Sequence, residues 1–354
     1  MLSSRHLFLT KLRALNWGQI WHRWKAWRSY QGNFRRLEAL ILDARRNHPS
    51  RRVICISKVF HMGDILACEP VARQVRNDYP DAFIIWCLQM PYSEIIRHHP
   101  AVDYILAVEC IGEWMLFANS PLFDRVIDLE MNGKPCKHCN LALHKADDFG
   151  VTFDNYFNLG SLLDVYLRCA NATVKDRAPQ IFIPDAIRKK VEALVPAGRR
   201  FVTIHCHSNE ICKDWTREKW TELLAWMTRN FEVEFIEIGT NACLGGSGLP
   251  GYQSKCGRLS ILETAEIIRR STLFIGVESG PAHLANAVGT KGVILIGRYV
   301  NFKRYMPYAG RYADPEEARI VYSSNLAAEI PVADVQEAIA SLLPSVERIS
   351  QACF

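Results

Sequence analysis

Glu278, Ser279, Gly280 and His283 stand close together in the stretch FIGVESGPAHLANAVG, residues 274–289, and residues of these types in that order can hold a phosphate. Leu273, Phe274, Ile275 and Val277 read as a buried strand, and a helix is expected from about Ala282. Ser279 can cap that helix, Gly280 lets a ligand approach the backbone, and Pro281 suits the first helical position because its missing N–H costs nothing there. Such a turn aims N–H groups and the positive end of a helix dipole at one spot, and His283 would lean toward it. An ordinary strand–helix corner reads much the same, so the turn acquires meaning only beside the other groups.

Four other places carry residues with chemical potential. Asp64 follows Gly63 at the turn after an apolar strand, where open α/β sheets bind ligands; a carboxylate there is either a base or a helix cap. Lys213, in a loop near Trp215 and Trp220, is either a mobile point charge for phosphate or a solvated surface lysine. Arg298, Lys303 and Arg304, in LIGRYVNFKRYMPYAG, are further cations. Cys136 and Cys139, with His144 nearby, supply three of the four ligands of a zinc site, but no second cysteine pair follows at a familiar spacing. The expectation is therefore no metal. The glycine-rich run 244–248 does not join strand to helix in the order of a dinucleotide fingerprint, so a flexible loop is expected there.

These groups need a scaffold, and the chain alternates strand and helix. Val53–Ser57, Phe83–Leu88, Tyr104–Val108 and Arg125–Leu129 read as strands, with helices over Asp64–Asn77, Tyr92–His99 and Phe157–Ala170. A second alternation runs Phe201–His205 strand, Thr216–Arg229 helix, Val233–Gly239 strand, Ile261–Arg270 helix, the turn at 278–281, and a last strand Val293–Ile296. A helix is expected over Val332–Leu343. The domains expected are a basic Trp-rich helical extension (1–50), two α/β domains (51–180 and 181–331), and a terminal helix and tail (332–354).

With 354 residues, 49% of them hydrophobic and 23% charged, the chain is long enough for two cores and too apolar to be disordered. No apolar run is long enough to span a membrane and no signal-peptide pattern opens the chain, so the twelve cysteines read as reduced thiols in a cytoplasmic protein. Residues 1–52 hold twelve Lys/Arg against Glu38 and Asp43, a balance of +10, which leaves −4 for the rest of a chain whose net charge is +6. Within them Trp17, Ile20, Trp21, Trp24 and Trp27 or Arg28 recur at helical spacing among Arg13, His22, Arg23, Lys25, Arg35 and Arg36. An amphipathic helix of that kind, taken over residues 11–36, suits an anionic membrane surface, or else its tryptophans pack on the protein's own body. No nucleic-acid motif accompanies the charge.

Three segments in order resemble glycosyltransferase family 9, the lipopolysaccharide heptosyltransferase family: VICISKVFHMGDILACEPVARQVRNDYPDAFI, VTIHCHSNEICKDWTREKWTELLAWM, and the turn at 274–289. The resemblance covers about residues 51–310. It implies a GT-B fold, two Rossmann-like domains facing a central cleft, and sugar transfer from a nucleotide-diphosphate sugar, ADP-heptose first among them, to a lipopolysaccharide or other cell-envelope glycan. It implies Asp64 as catalytic base, with Lys213, Ser279, Gly280 and His283 on the donor diphosphate; Arg298 stands where the family often has a small residue, and it is either a further phosphate contact or surface charge. Glu278 departs from the family's aspartate, which puts the donor sugar's identity in question. Asp147 and Asp148 are adjacent rather than spaced as a metal-binding D-x-D, so metal-independent displacement without a cofactor is expected, at the cytoplasmic face of the inner membrane. A silent GT-B scaffold and a nucleotide-sugar epimerase are the competing readings.

Overall fold

The computed structural model describes residues 15–343 apart from 197 and 247. Arg13 and the rest of 11–14, Ser247 of the glycine-rich run and the tail from 344 lie outside the described residues. The chain divides into two compact units, one ending at Phe182 and one beginning at Ile183.

The first unit opens with α1 (Trp17–Asn47), whose start is fixed by a capping box between Asn16 and Gln19. Then follow β1 (Val53–Ser57), α2 (Met62–Cys68), α3 (Pro70–Asp78), β2 (Phe83–Gln89), α4 (Ser93–Ile96), β3 (Tyr104–Val108), α5 (Ile111–Phe117), β4 (Arg125–Asp128), a two-residue hairpin of β5 (Pro135–Cys136) and β6 (Leu141–Ala142), and α6 (Leu162–Cys169). The four main strands pair in parallel in the order β3-β2-β1-β4. β1 is buried along its whole length, the pattern of a strand covered on both faces.

Three expected helices differ. The run from Asp64 breaks at Glu69 because Pro70 starts a new helix, giving α2 and α3. The run from Phe157 begins as a single tight turn, since Gly160 takes φ +112° and Ser161 and Asp164 then form the capping box that starts α6. Around Tyr92 only α4 forms, preceded by another tight turn.

The second unit comprises α7 (Asp185–Leu194), β7 (Phe201–His205), α8 (Arg217–Asn230), β8 (Glu234–Glu237), β9 (Tyr252–Ser254), α9 (Ile261–Arg270), β10 (Leu273–Val277), α10 (Gly280–Val288), β11 (Gly292–Ile296), β12 (Ala318–Tyr322) and α11 (Val332–Leu342). Its parallel sheet runs β12-β11-β10-β7-β8-β9, the doubly wound order in which the chain leaves a central strand first one way and then the other. Neither β9 nor β12 is anticipated from sequence: both are edge strands, one only three residues long and the other partly exposed, so neither shows a buried apolar run. Val335, Ala338, Ile339 and Leu342 of α11 join the core of this unit.

α1 serves two environments. Arg23, Ala26, Tyr30, Leu37 and Ile41 are buried on the first unit, while Trp17, Trp21 and Trp24 are exposed. Arg28 lies over the Trp24 ring at 5.0 Å and Lys25 over Trp21 at 5.8 Å, and Trp27 packs against the core. The tryptophans therefore split between the body and the outer face.

Candidate active site

In the first unit the order of strands reverses between β1 and β4, and the loops leaving their carboxyl ends carry the charged groups. Lys58 follows β1 and is fully buried. Its Nζ lies 3.2 Å from Asp64 Oδ2 and 3.3 Å from Glu130 Oε2, and 4.0 Å above the ring of Tyr166. Tyr166 OH donates to Asp64 Oδ2 at 2.7 Å, and Glu130 accepts from the Val59 N–H at 2.7 Å and from Lys134 at 2.5 Å. Asp64 thus stands in the first turn of α2, whose dipole favours a negative charge.

Burial works against an ionised Asp64, but Lys58 and the Tyr166 hydroxyl outweigh it and hold the carboxyl at about 2. Glu130 is likewise brought to about 2, its burial overcome by Lys134 and Lys58. Burial opposes the charge on Lys58, yet Glu130 and Asp64 raise its pKa. All three are charged at neutral pH, and Asp64 alone of them reaches the surface.

The second unit reverses its strand order between β7 and β10, and Lys213 and Glu278 come from the loops after those two strands. Lys213 Nζ lies 2.5 Å from Glu278 Oε2 and 4.2 Å above the Tyr299 ring; Tyr305 OH donates to the same oxygen at 3.1 Å. Burial disfavours the Lys213 ammonium, but Glu278 raises its pKa. Ser279 occupies the cap position of α10, yet its hydroxyl makes no cap bond, contrary to the expectation from sequence. It donates instead to Val277 O at 3.0 Å and meets His205 Nδ1 at 3.0 Å. With the hydroxyl proton so used, His205 donates from Nδ1; burial lowers its pKa to about 4, so the ring is neutral. Gly239 keeps this histidine in place, since a Cβ there would fall 3.2 Å from its ring.

Gly280 opens α10 at its first position, two residues earlier than expected. His283 is buried in the first turn with its ring centroid 4.7 Å from that of Tyr308. Arg298 is exposed after β11 and its backbone N–H donates to Asn325 O at 2.5 Å; Arg304 stacks on Tyr322 at 4.6 Å. The loop carrying the glycine run is tied down by Glu237, which accepts from the N–H groups of Cys243 (2.6 Å) and Leu244 (3.2 Å). Asp147 and Asp148 accept from the N–H groups of Phe149 and Gly150, two residues on, and so shape their own loop.

A lipopolysaccharide heptosyltransferase 3 of Escherichia coli is 30% identical to the chain over 335 residues, covering 81% of it and 97% of the relative. The chain belongs to glycosyltransferase family 9. The profile of that family, glycosyltransferase family 9 (heptosyltransferase), matches residues 167–313. Among solved structures of the fold, a family 9 glycosyl transferase from Veillonella parvula superposes with TM-score 0.64 at 15% identity, over 82% of this chain and 97% of that one. An ADP-heptose lps heptosyltransferase II of E. coli gives TM-score 0.57 at 15% identity, over 82% and 98%. The protein is thus a heptosyltransferase-like glycosyltransferase with the GT-B fold.

Sequence reasoning missed the groups that set the charge of these family 9 residues. Lys58 was signalled by a lysine closing the apolar run VICIS, and Glu130 by its place just after β4. Tyr166, inside α6, carried no such signal. In the cysteine loop, the third partner of Cys136 and Cys139 is Cys110, not His144: the three sulfurs lie within 4.8 Å of one another, and His144 is exposed outside that group.

Proposed function

We propose that this chain transfers heptose from ADP-heptose to a lipopolysaccharide or related cell-envelope glycan by metal-independent displacement. The names of the E. coli relatives, a lipopolysaccharide heptosyltransferase and an ADP-heptose lps heptosyltransferase, support donor and acceptor alike. Residues 51–180 serve the acceptor and 181–331 the nucleotide sugar. Residues 11–36 rest on the inner-membrane surface through the exposed Trp17, Trp21 and Trp24, with Lys25 and Arg28 toward the headgroups. That side chain set favours a peripheral enzyme, and no described helix is long and apolar enough to cross a membrane.

Asp64 receives the acceptor hydroxyl's proton. A carboxylate held at about 2 is a weak base toward a resting alcohol, so it first orients the O–H as a hydrogen-bond acceptor. As the oxygen bonds to the anomeric carbon it becomes strongly acidic, and the proton then passes to Asp64. The anomeric carbon–oxygen bond breaks and its electrons leave with the diphosphate. Lys213, the first turn of α10 with Ser279, Gly280 and His283, and Arg298 neutralise that charge, which is why the displacement calls for no divalent cation. Glu278 orients the donor sugar and exchanges its hold on Lys213 as the diphosphate arrives.

The observation that carries this reading is Asp64 kept ionised, and open at its edge, by a fully buried lysine. Asp64→Asn tests it: turnover should fall by about 10²–10⁴, the worth of a general base, while ADP still raises the melting temperature. Turnover near that of the parent protein would remove Asp64 from this role.

A further inference from the structure

Cys110, Cys136 and Cys139 converge from separate parts of the first unit, and all three are buried. Cys110 precedes α5, Cys136 lies in β5, and Cys139 lies in the turn leading to β6. Asn140, next in that turn, takes φ +48°, which bends the chain back and brings both sulfurs to one side. We propose that these three cysteines form a binding site for a thiophilic divalent cation, zinc or ferrous iron, that clamps α1 and the β5–β6 hairpin to α5.

The spacing is the first argument. A tetrahedral zinc with bonds of about 2.3 Å sets its sulfurs about 3.8 Å apart. Cys110 Sγ and Cys139 Sγ are 3.5 Å apart, and no pair in the group exceeds 4.8 Å. A disulfide, at about 2 Å, would join two of these thiols and leave the third over. The second argument is the close fit of the backbone. A Cβ on Gly112 would lie 2.9 Å from Cys139 Sγ, so this position has no room for a side chain.

Charge supplies the third argument. Three thiolates and one divalent cation carry a net −1, and a buried site of that charge needs a cation beside it. Arg23 of α1 is buried there, donating from Nε to Cys139 O at 2.8 Å and from a terminal nitrogen to Asn140 O at 3.3 Å, with Cys139 and Cys136 acting on its charge. Binding replaces three thiol protons, which pass to solvent, and changes no oxidation state. The fourth tetrahedral position goes to water. The site stands apart from Asp64 and Lys213 in its chemistry, so its fate and that of the proposed transfer are independent.

The test is elemental analysis of the full chain, expressed with zinc and ferrous iron supplied and purified anaerobically without a metal-affinity resin. About one equivalent of zinc or iron per chain is expected, with X-ray absorption giving three sulfurs and one lighter ligand, and the elemental ratio tells the two metals apart. Cys110→Ser, Cys136→Ser and Cys139→Ser should each lower the content about tenfold or more. Metal absent from the parent chain, or undiminished in all three variants, overturns the proposal. Should the variants fail to fold, metal-stripped parent protein titrated with cobalt decides it: thiolate-to-cobalt charge-transfer bands are expected, and their absence overturns the site.

Discussion

The two units use one device in opposite senses. Each sets a lysine against a carboxylate beside the point where its strand order reverses, Lys58 with Asp64 after β1 and Glu130 after β4, and Lys213 after β7 with Glu278 after β10. At the β1/β4 point the lysine is sealed in, Lys58 being 0% exposed, and the carboxylate Asp64 is presented at 16%. At the β7/β10 point the lysine is the more open partner, Lys213 at 15% against 8% for Glu278. A buried countercharge fixes the protonation state of the group at the surface, so the first unit presents an anion and the second a cation, the signs that the proposed transfer needs at the acceptor hydroxyl and at the diphosphate. The sheet edge fixes where chemistry occurs, and the choice of which partner is buried fixes its sign.

Breaking the buried partner should cost the most. Lys58→Met removes a cation between Asp64 and Glu130, and about 3 kcal/mol of unfolding free energy should go with it, the low end for a broken buried pair because Lys134 still holds Glu130. Chemical denaturation measures that loss. The same variant sharpens the pH argument. Asp64's pKa is depressed, so its share of stability is present above the ordinary carboxylate range and lost as pH falls through about 2. The parent enzyme should therefore show no acid limb from Asp64 at moderate pH. Without Lys58, burial raises the carboxyl and an acid limb in kcat/KM should enter the range above about 4.

The presented partner of the second unit comes next. Lys213→Ala should weaken ADP binding by about 1.5–3 kcal/mol, the worth of a charged hydrogen bond, read by calorimetry, and should cost the fold less than Lys58→Met does, because Tyr305 still donates to Glu278. The smallest effect is expected from Glu278→Gln, which keeps an oxygen for Tyr305 but releases Lys213. ADP should then bind a few-fold tighter, by less than about 1 kcal/mol, as the ammonium no longer has to leave an ion pair. Weaker ADP binding in that variant would mean that Glu278 positions Lys213 rather than competing for it.

Much of this was legible in the sequence because buried parallel strands are apolar runs and helix starts carry their own signals. Val53–Ser57, Phe201–His205 and Ile261–Arg270 were readable to the residue, and in the structure a Ser260–Glu263 capping box starts the last of them. Tertiary choices were not. Ser279 has the right type and place for a cap, but neutral His205, seventy-four positions earlier, takes its hydroxyl. Nothing local in α6 says that Tyr166 will meet Asp64, or that Cys110 will join a Cys-x-x-Cys loop. A motif names the group that meets the ligand; the residue that sets its charge comes from wherever the fold delivers one.

The central claim is transfer of heptose with Asp64 and Lys213 presenting opposite charges. Its most direct test incubates the purified protein with ADP-heptose and a heptose-containing core lipopolysaccharide, following ADP release and acceptor mass together. The account predicts an acceptor heavier by one heptose for each ADP released. ADP release with no glycoside formed, or neither product, would contradict it.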